Sequence, residues 1–353
     1  MYTRKRYSIK NMILWTRVET IVLIFIALLP TVLYKVFGFT WLHLPWLPIA
    51  LIGTAVAFII SFQNNVAYDR LWEARKIWGG IVNVSRFWAV MVMDNINNDE
   101  ADIPKSEEEL YNEKKTFIYR HIAWMAALRH AMRQLKPWES LLDDMTNREW
   151  HANIVIPERD ISLEEELSSL ISEEEQKYVL ERANKATAIL SLQSRHLDQL
   201  KKSKHLWKFT FLEMENIIKD LFDLQGKSER IKNFPYPRQY ATLNSLFLWI
   251  FIILLPFGVI PEFTAIGQKI IANFPTIGDY FVWASIPFIV IISWVFHTME
   301  RIGRVSENPF EGSPNDVPIS TIARGIEIDL RQMLAEGPDR IPKPYPSKYD
   351  VQM

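Results

Sequence analysis

The chain has 353 residues, with 40 Lys and Arg against 41 Asp and Glu, for a formal net charge of −1. That balance leaves no basic excess of the kind nucleic-acid binders carry. There is no cysteine, which excludes disulfides, thiolate metal sites and cysteine nucleophiles.

Long uncharged runs alternate with densely charged ones. Arg4, Lys5, Arg6 and Lys10 make a basic start, but Arg17 and Glu19 precede the first apolar run. No small-residue cleavage site ends that run, so the segment reads as retained rather than as a signal peptide. A helix needs about 20 mostly apolar residues to cross a bilayer. Four segments meet this, at about residues 20–39, 47–66, 240–260 and 280–299. Pro30 and Lys35 interrupt the first, and Lys35 can snorkel to the interface. No Asp, Glu, Lys or Arg occurs from Val36 through Tyr68. One charge at a helix centre costs roughly 2.5–3.5 kcal/mol on insertion, so segments this clean argue for membrane spans. Several Trp and Phe residues flank them, as at membrane interfaces.

Basic residues cluster before the first span, after the second (Arg70, Arg75, Lys76, Arg86) and after the fourth (Arg301, Arg304). The two connecting loops between paired spans are poor in them. The positive-inside rule then places both termini and the long middle segment in the cytosol, with the plasma (inner) membrane as the location.

Residues 69–238 read as helical. Asp69–Met93 is amphipathic, Glu113–Leu135 stops before Pro137, and Asn184–Leu200 and Leu206–Gln225 follow, the last ended by Gly226. The acidic stretches Asn98–Glu109 and Leu163–Glu175 read as solvated faces or loops, the second opened by a Ser162–Glu165 capping box. From Gly337 the chain is rich in Pro and polar residues and reads as an extended or flexible arm. The fold class is all-α, a single domain over residues 1–353 whose C-terminal arm is 301–353.

No nucleotide, zinc-protease or nucleophile-elbow motif is present, so no enzyme class, cofactor or metal site is indicated. His121 and His130 lie on opposite faces of one predicted helix, about 13 Å apart along it, and cannot share a metal. The second span, PIALIGTAVAFIISFQNN, is more informative. Gly53, Ala57 and Ser61 form a small stripe suited to close helix approach in lipid. Thr54, Phe58 and Phe62 form the adjacent stripe. Copies of this helix around an axis would stack the two phenylalanines as hydrophobic rings, which gate by excluding water. Spacing alone leaves lipid or a neighbouring helix as the other partner of these rings.

The next segment carries Asn64, Asn65, Tyr68, Arg70, Trp72, Glu73, Arg75, Lys76, Trp78, Gly79, Asn83 and Arg86. It resembles the signature of bestrophins, particularly the bacterial and plant branch. Pro256 within LLPFG resembles the family's third span, and Asn308-Pro309-Phe310 with Asn315-Asp316 resembles its stretch after the fourth. The resemblance implies a homopentameric channel with one central pore, passing small inorganic ions among membrane lipid. It implies a pore neck at Thr54, Phe58 and Phe62, with Thr54 at a position usually apolar, and an aperture near Phe209. It implies chloride or anion conduction, with a monovalent cation (sodium) channel as the alternative that some bacterial relatives suggest. A secondary transporter would show internal repeats, and none is visible; a membrane-anchored scaffold would show no flux. The resemblance further implies calcium binding in animal members, for which residues 311–316 supply too few carboxylates here. Glu73 is placed to pair with Lys76 one turn on, and Trp72, Arg75, Lys76 and Arg86 read as anchors to the membrane interface and to neighbouring subunits.

Overall fold

The computed structural model describes residues 1–353 and consists of fourteen α-helices, two single 3-10 turns and two isolated β-bridges. In order they are α1 Ile9–Trp15, α2 Arg17–Lys35, α3 Trp46–Asn95, α4 Glu107–Arg133, α5 Met145–Asn153, α6 Pro157–Asp160 and α7 Leu163–Ser168. There follow α8 Glu173–Leu180, α9 Lys185–Lys202, α10 Lys208–Asn233, α11 Arg238–Ile270, α12 Pro275–Tyr280, α13 Ser285–Ser306 and α14 Ile319–Met333. Four segments are long and apolar enough to cross a membrane: Arg17–Lys35, Trp46–Asn95, Arg238–Ile270 and Pro275–Ser306.

The second of these does more than span. From Trp46 to Asn95 the only proline is Pro48, in the first turn where it is tolerated. Nothing therefore stops the helix where its apolar run ends, and α3 continues for 50 residues, about 75 Å. Its first half packs in an apolar core with α2, α11 and α13, through Val56, Ile60, Leu248 and Ile289. Its second half enters a separate core with α4, α9, α10 and α14, built around Trp78, Trp88, Trp124 and Phe117. One rod joins the two halves of the molecule.

Several sequence expectations need correction. The segment 69–93 is not a helix of its own but the continuation of α3. The first span ends at Lys35, four residues early, while the third runs past Pro261 to Ile270. Helix α10 does not stop at Gly226: a lone glycine costs a helix interior only about 1 kcal/mol, and burial of Ser228 and Ile231 beyond it outweighs that. The region 301–353 is not a single arm, because α13 runs on to Ser306 and α14 occupies Ile319–Met333, and only the tail from Gly337 is largely extended, though not free. Val351 bridges Tyr2, and Val351 and Met353 are buried against Ile154 and Ile156. The acidic stretches are partly engaged as well. Ser106 and Glu109 form a full capping box on α4, and Ser162 accepts the Glu165 amide at 3.1 Å. Glu175 pairs with Arg120, and Glu166 with Arg129 and His130.

Candidate functional site

The stripe singled out on α3 stands clear of the rest of the chain. Phe58 is 64% exposed and Phe62 is 68% exposed, while Val56, Ile60 and Gln63 on the other side of the same turns are buried. Thr54 is exposed too, but its hydroxyl donates to the Ala50 carbonyl at 2.9 Å. With that oxygen turned back on its own helix, Thr54 presents mainly its methyl group, which explains how a polar residue fits an apolar stripe. Of the small stripe, Gly53 serves packing within the chain: a Cβ there would lie 2.6 Å from the Phe251 ring of α11. Ala57 and Ser61 are exposed and continue that close-packed seam as a shallow groove.

What fixes the rotation of α3 lies one residue past the stripe. Gln63 is buried, and its Oε1 accepts from Asn244 Nδ2 of α11 at 3.1 Å. Asn64 donates to the Met299 carbonyl of α13 at 3.1 Å, and Gly303 leaves the room it needs. Between apolar helices such bonds are directional where packing is not. They hold the phenylalanine edge of α3 away from its own α11 and α13. Sequence reasoning gave Gln63 no role of its own and passed over Asn244; the available signal was that they are polar residues inside uncharged apolar runs.

The signature residues beyond this point tie α3 to the second half. Arg70 donates to the carbonyls of Ile231 (3.2 Å), Phe234 (2.9 Å) and Glu307 (2.7 Å). Two of these lie at the C-terminal end of α10, where carbonyls lack helical partners. Tyr68 stacks on Trp72, and the Arg75 guanidinium lies over the Trp72 ring at 6.0 Å. Glu73 reaches Arg230 of α10 at 2.6 Å rather than Lys76, because α10 lies alongside and offers a planar fork. Arg86 is spent within the chain, both nitrogens on Asp329 of α14 at 2.9 and 2.7 Å. Asn65, Lys76 and Asn83 remain exposed, on the same side of α3 as Phe58 and Phe62. Trp78 is buried against Phe310, ring centroids 6.3 Å apart. Pro256 is buried inside α11. His121 is buried and neutral, its value lowered to about 3 by burial, and it bonds Ser85 at 2.8 Å, a structural role.

The loop after α13 is built on backbone that only a constrained site sustains. Asn308 and Pro309 are buried, and Phe310 adopts φ +76° with its ring in the core. Asp316 holds the turn. Its carboxylate accepts the amides of Phe310 (2.9 Å), Gly312 (2.8 Å) and Val317 (2.7 Å), and Arg133 at 3.1 Å. A carboxylate so occupied, beside a guanidinium, is poorly suited to a cation. Glu311 is buried next to Glu139, Lys232, Asp316 and Asn308, and burial raises it to about 8, with Glu139 adding to the rise. The folded chain then holds a proton there that the unfolded chain releases near the ordinary 4.5. Its stabilising contribution is full below the unfolded value and is lost as pH rises toward 8. Glu311→Gln should therefore raise the thermal midpoint at pH 8 and flatten its decline from about pH 5 upward. A decline as steep as the parent's would remove Glu311 as its source.

Phe209 lies at the opposite end of the second half, in the first turn of α10, exposed beside Trp207. The end of α3 is close by: the Asn97 amide donates to the His205 carbonyl at 3.2 Å. Phe209 thus lies near the C-terminal end of α3, about 50 Å along that helix from Phe62.

A family model described as Bacterial/Fungal Bestrophin protein matches residues 7–332. The chain belongs to the bestrophin family. This bestrophin is 25% identical over 287 residues to the voltage-dependent anion channel-forming protein YneE of Salmonella typhi, covering 81% of this chain and 76% of that one. It is 24% identical over 336 residues to a voltage-dependent anion channel-forming protein of Mesorhizobium japonicum, covering 89% of each. The crystal structure of a bacterial bestrophin homolog from Klebsiella pneumoniae superposes with a TM-score of 0.68 at 21% identity, over 91% of this chain and 99% of that one. That likeness shows a shared fold.

Proposed function

We propose that this bestrophin is one subunit of a passive channel for small anions in the inner membrane, with α3 lining the pore. The observation that carries this reading is the exposed stripe of Phe58 and Phe62 on a helix whose other side is buried and polar-bonded. One chain cannot enclose an aqueous path with a single stripe, so several copies must share an axis. Five copies follow from the family resemblance, and native mass spectrometry tests that number. The basic residues Arg70, Arg75, Lys76 and Arg304 flank the spans on one side, which supports a reading with the second half and both termini in the cytosol. The names of the relatives support anions. Purified protein in planar bilayers under a chloride salt gradient decides the sign: the reversal potential should lie toward the anion equilibrium potential. A reversal toward the cation potential would make it a cation channel, and absent flux would leave a scaffold.

In this reading Phe209 narrows the cytosolic exit. Phe209→Ala should change permeability ratios among anions of different size while leaving assembly intact. An unchanged ratio would move the aperture to another residue, with exposed Leu212 one turn on the next candidate.

A further inference from the structure

Seven residues of α3 carry charge: Asp69, Arg70, Glu73, Arg75, Lys76, Arg86 and Asp94. All lie past the phenylalanine stripe. The fold engages four of them. Arg70 holds three carbonyls, Glu73 pairs with Arg230, Arg86 holds Asp329, and Arg75 lies over the Trp72 ring. The other three, Asp69, Lys76 and Asp94, are exposed, and no ion pair or side-chain hydrogen bond within the chain reaches them.

These three are not scattered around the helix. At about 100° per residue, Asp69 falls midway between the directions of Phe58 and Phe62, and Lys76 and Asp94 fall within about 20° of that line. Arg70, Arg75 and Arg86 lie about 100° or more from it. The charges that the chain leaves unengaged are therefore those on the phenylalanine side. Along the helix, Asp69 lies about 10 Å past Phe62, Lys76 about 21 Å and Asp94 about 48 Å.

The phenylalanine stripe holds no formal charge, and the one hydroxyl on it, Thr54, is turned to Ala50. It resists ions through the water they must shed, whatever their sign. Choice between anion and cation then falls to the charges further along the same side. We propose that Lys76 is the residue that sets the preference for anions, a role resting on the reading of α3 as the pore helix. Copies around the axis form a ring of ammonium groups, flanked by acidic rings at Asp69 and Asp94. Lysine rings draw anions and acidic rings draw cations. A ring of one sign in a confined passage raises the local concentration of the opposite ion. Lys76 is the only cation of the three, so it alone favours an anion, and Asp69, nearest the stripe, opposes it.

The test is the reversal potential of purified channels in planar bilayers under a potassium chloride gradient. At about 0.1 M salt, K76Q should lower the chloride-to-potassium permeability ratio about fivefold, the factor that one unit charge exerts at about 4 Å in water. K76R should keep the parent ratio, and D69N should raise it. Each difference should shrink toward 1 M salt, where the screening length falls from about 10 Å to about 3 Å. Lys76 makes no contact that the fold needs, so assembly by size exclusion should match the parent. The chain has no cysteine, so K76C carries the only thiol, and it can be modified after assembly. A trimethylammonium methanethiosulfonate should then restore the ratio, and a sulfonate analogue should lower it further. A parent that passes anions, with a K76Q ratio unchanged or K76C currents indifferent to both reagents, overturns the role of Lys76 and leaves the pore reading standing. A parent without flux removes the pore reading and this role together.

Discussion

Replacing Arg301 by methionine is expected to cost about 3–5 kcal/mol of stability, the range found when one partner of a buried ion pair is removed. Arg301 is fully buried where α2, α5 and α13 meet. Its Nη1 donates to the Trp15 carbonyl at 2.9 Å and pairs with Glu19 at 2.8 Å. Its Nη2 donates to Thr146 at 2.5 Å and Asn147 at 3.1 Å, and Asp144 lies 3.5 Å from Nε. Trp15 covers the guanidinium face at 4.3 Å. Methionine fills much of the volume but leaves Glu19 without its cation. Asp144 keeps Arg304, at 3.0 Å, so the loss falls mainly on the α2 side. The measure is the thermal midpoint followed by fluorescence-detected size exclusion. Arg301→Lys should be intermediate, since it keeps the charge and loses the fork. A methionine variant as heat-stable as the parent would show that the cluster does not hold these helices.

The four apolar segments were legible because three lack charge over a full bilayer width and the first is broken only by Lys35, near its end, a pattern no soluble helix needs. Their ends were less legible. A reader expects a helix to stop where its solvent changes, yet helix geometry depends on backbone breakers, and α3 has none past Pro48. The phenylalanine stripe could be read from four-residue spacing, and the single chain leaves it exposed. Its support could not, because Gln63 meets Asn244 across 181 positions. The same distance problem hid the acidic stretches: Glu166 finds Arg129 37 positions away, and Glu175 finds Arg120 55 away. Local charge runs look solvated when their partners lie on other helices. Arg86 shows the opposite error. It was assigned outward, and α14 supplies Asp329 from 243 positions on.

Replacing Phe58 and Phe62 together by alanine is expected to raise ion current at least about tenfold, which corresponds to about 1.4 kcal/mol of barrier. The two residues lie one turn apart, so in the proposed pore symmetric copies would build two rings separated by about 6 Å along the axis. An ion between such rings would shed water and find no polar ligand, because the Thr54 hydroxyl is turned to Ala50. Alanine removes the bulk and keeps the helix, since it has the highest helix propensity. The backbone should stay in register, because Gln63 and Asn64 remain bonded to α11 and α13. Both substituted side chains are more than half exposed in the single chain, so little of the core is lost. Thr54→Ala should change the current far less, as the methyl group it presents is retained. Single-channel records in planar bilayers, with assembly checked for each variant, separate these cases. If the double variant assembles normally and its conductance and open probability match the parent, the stripe faces lipid or a neighbouring subunit, and α3 does not gate by excluding water.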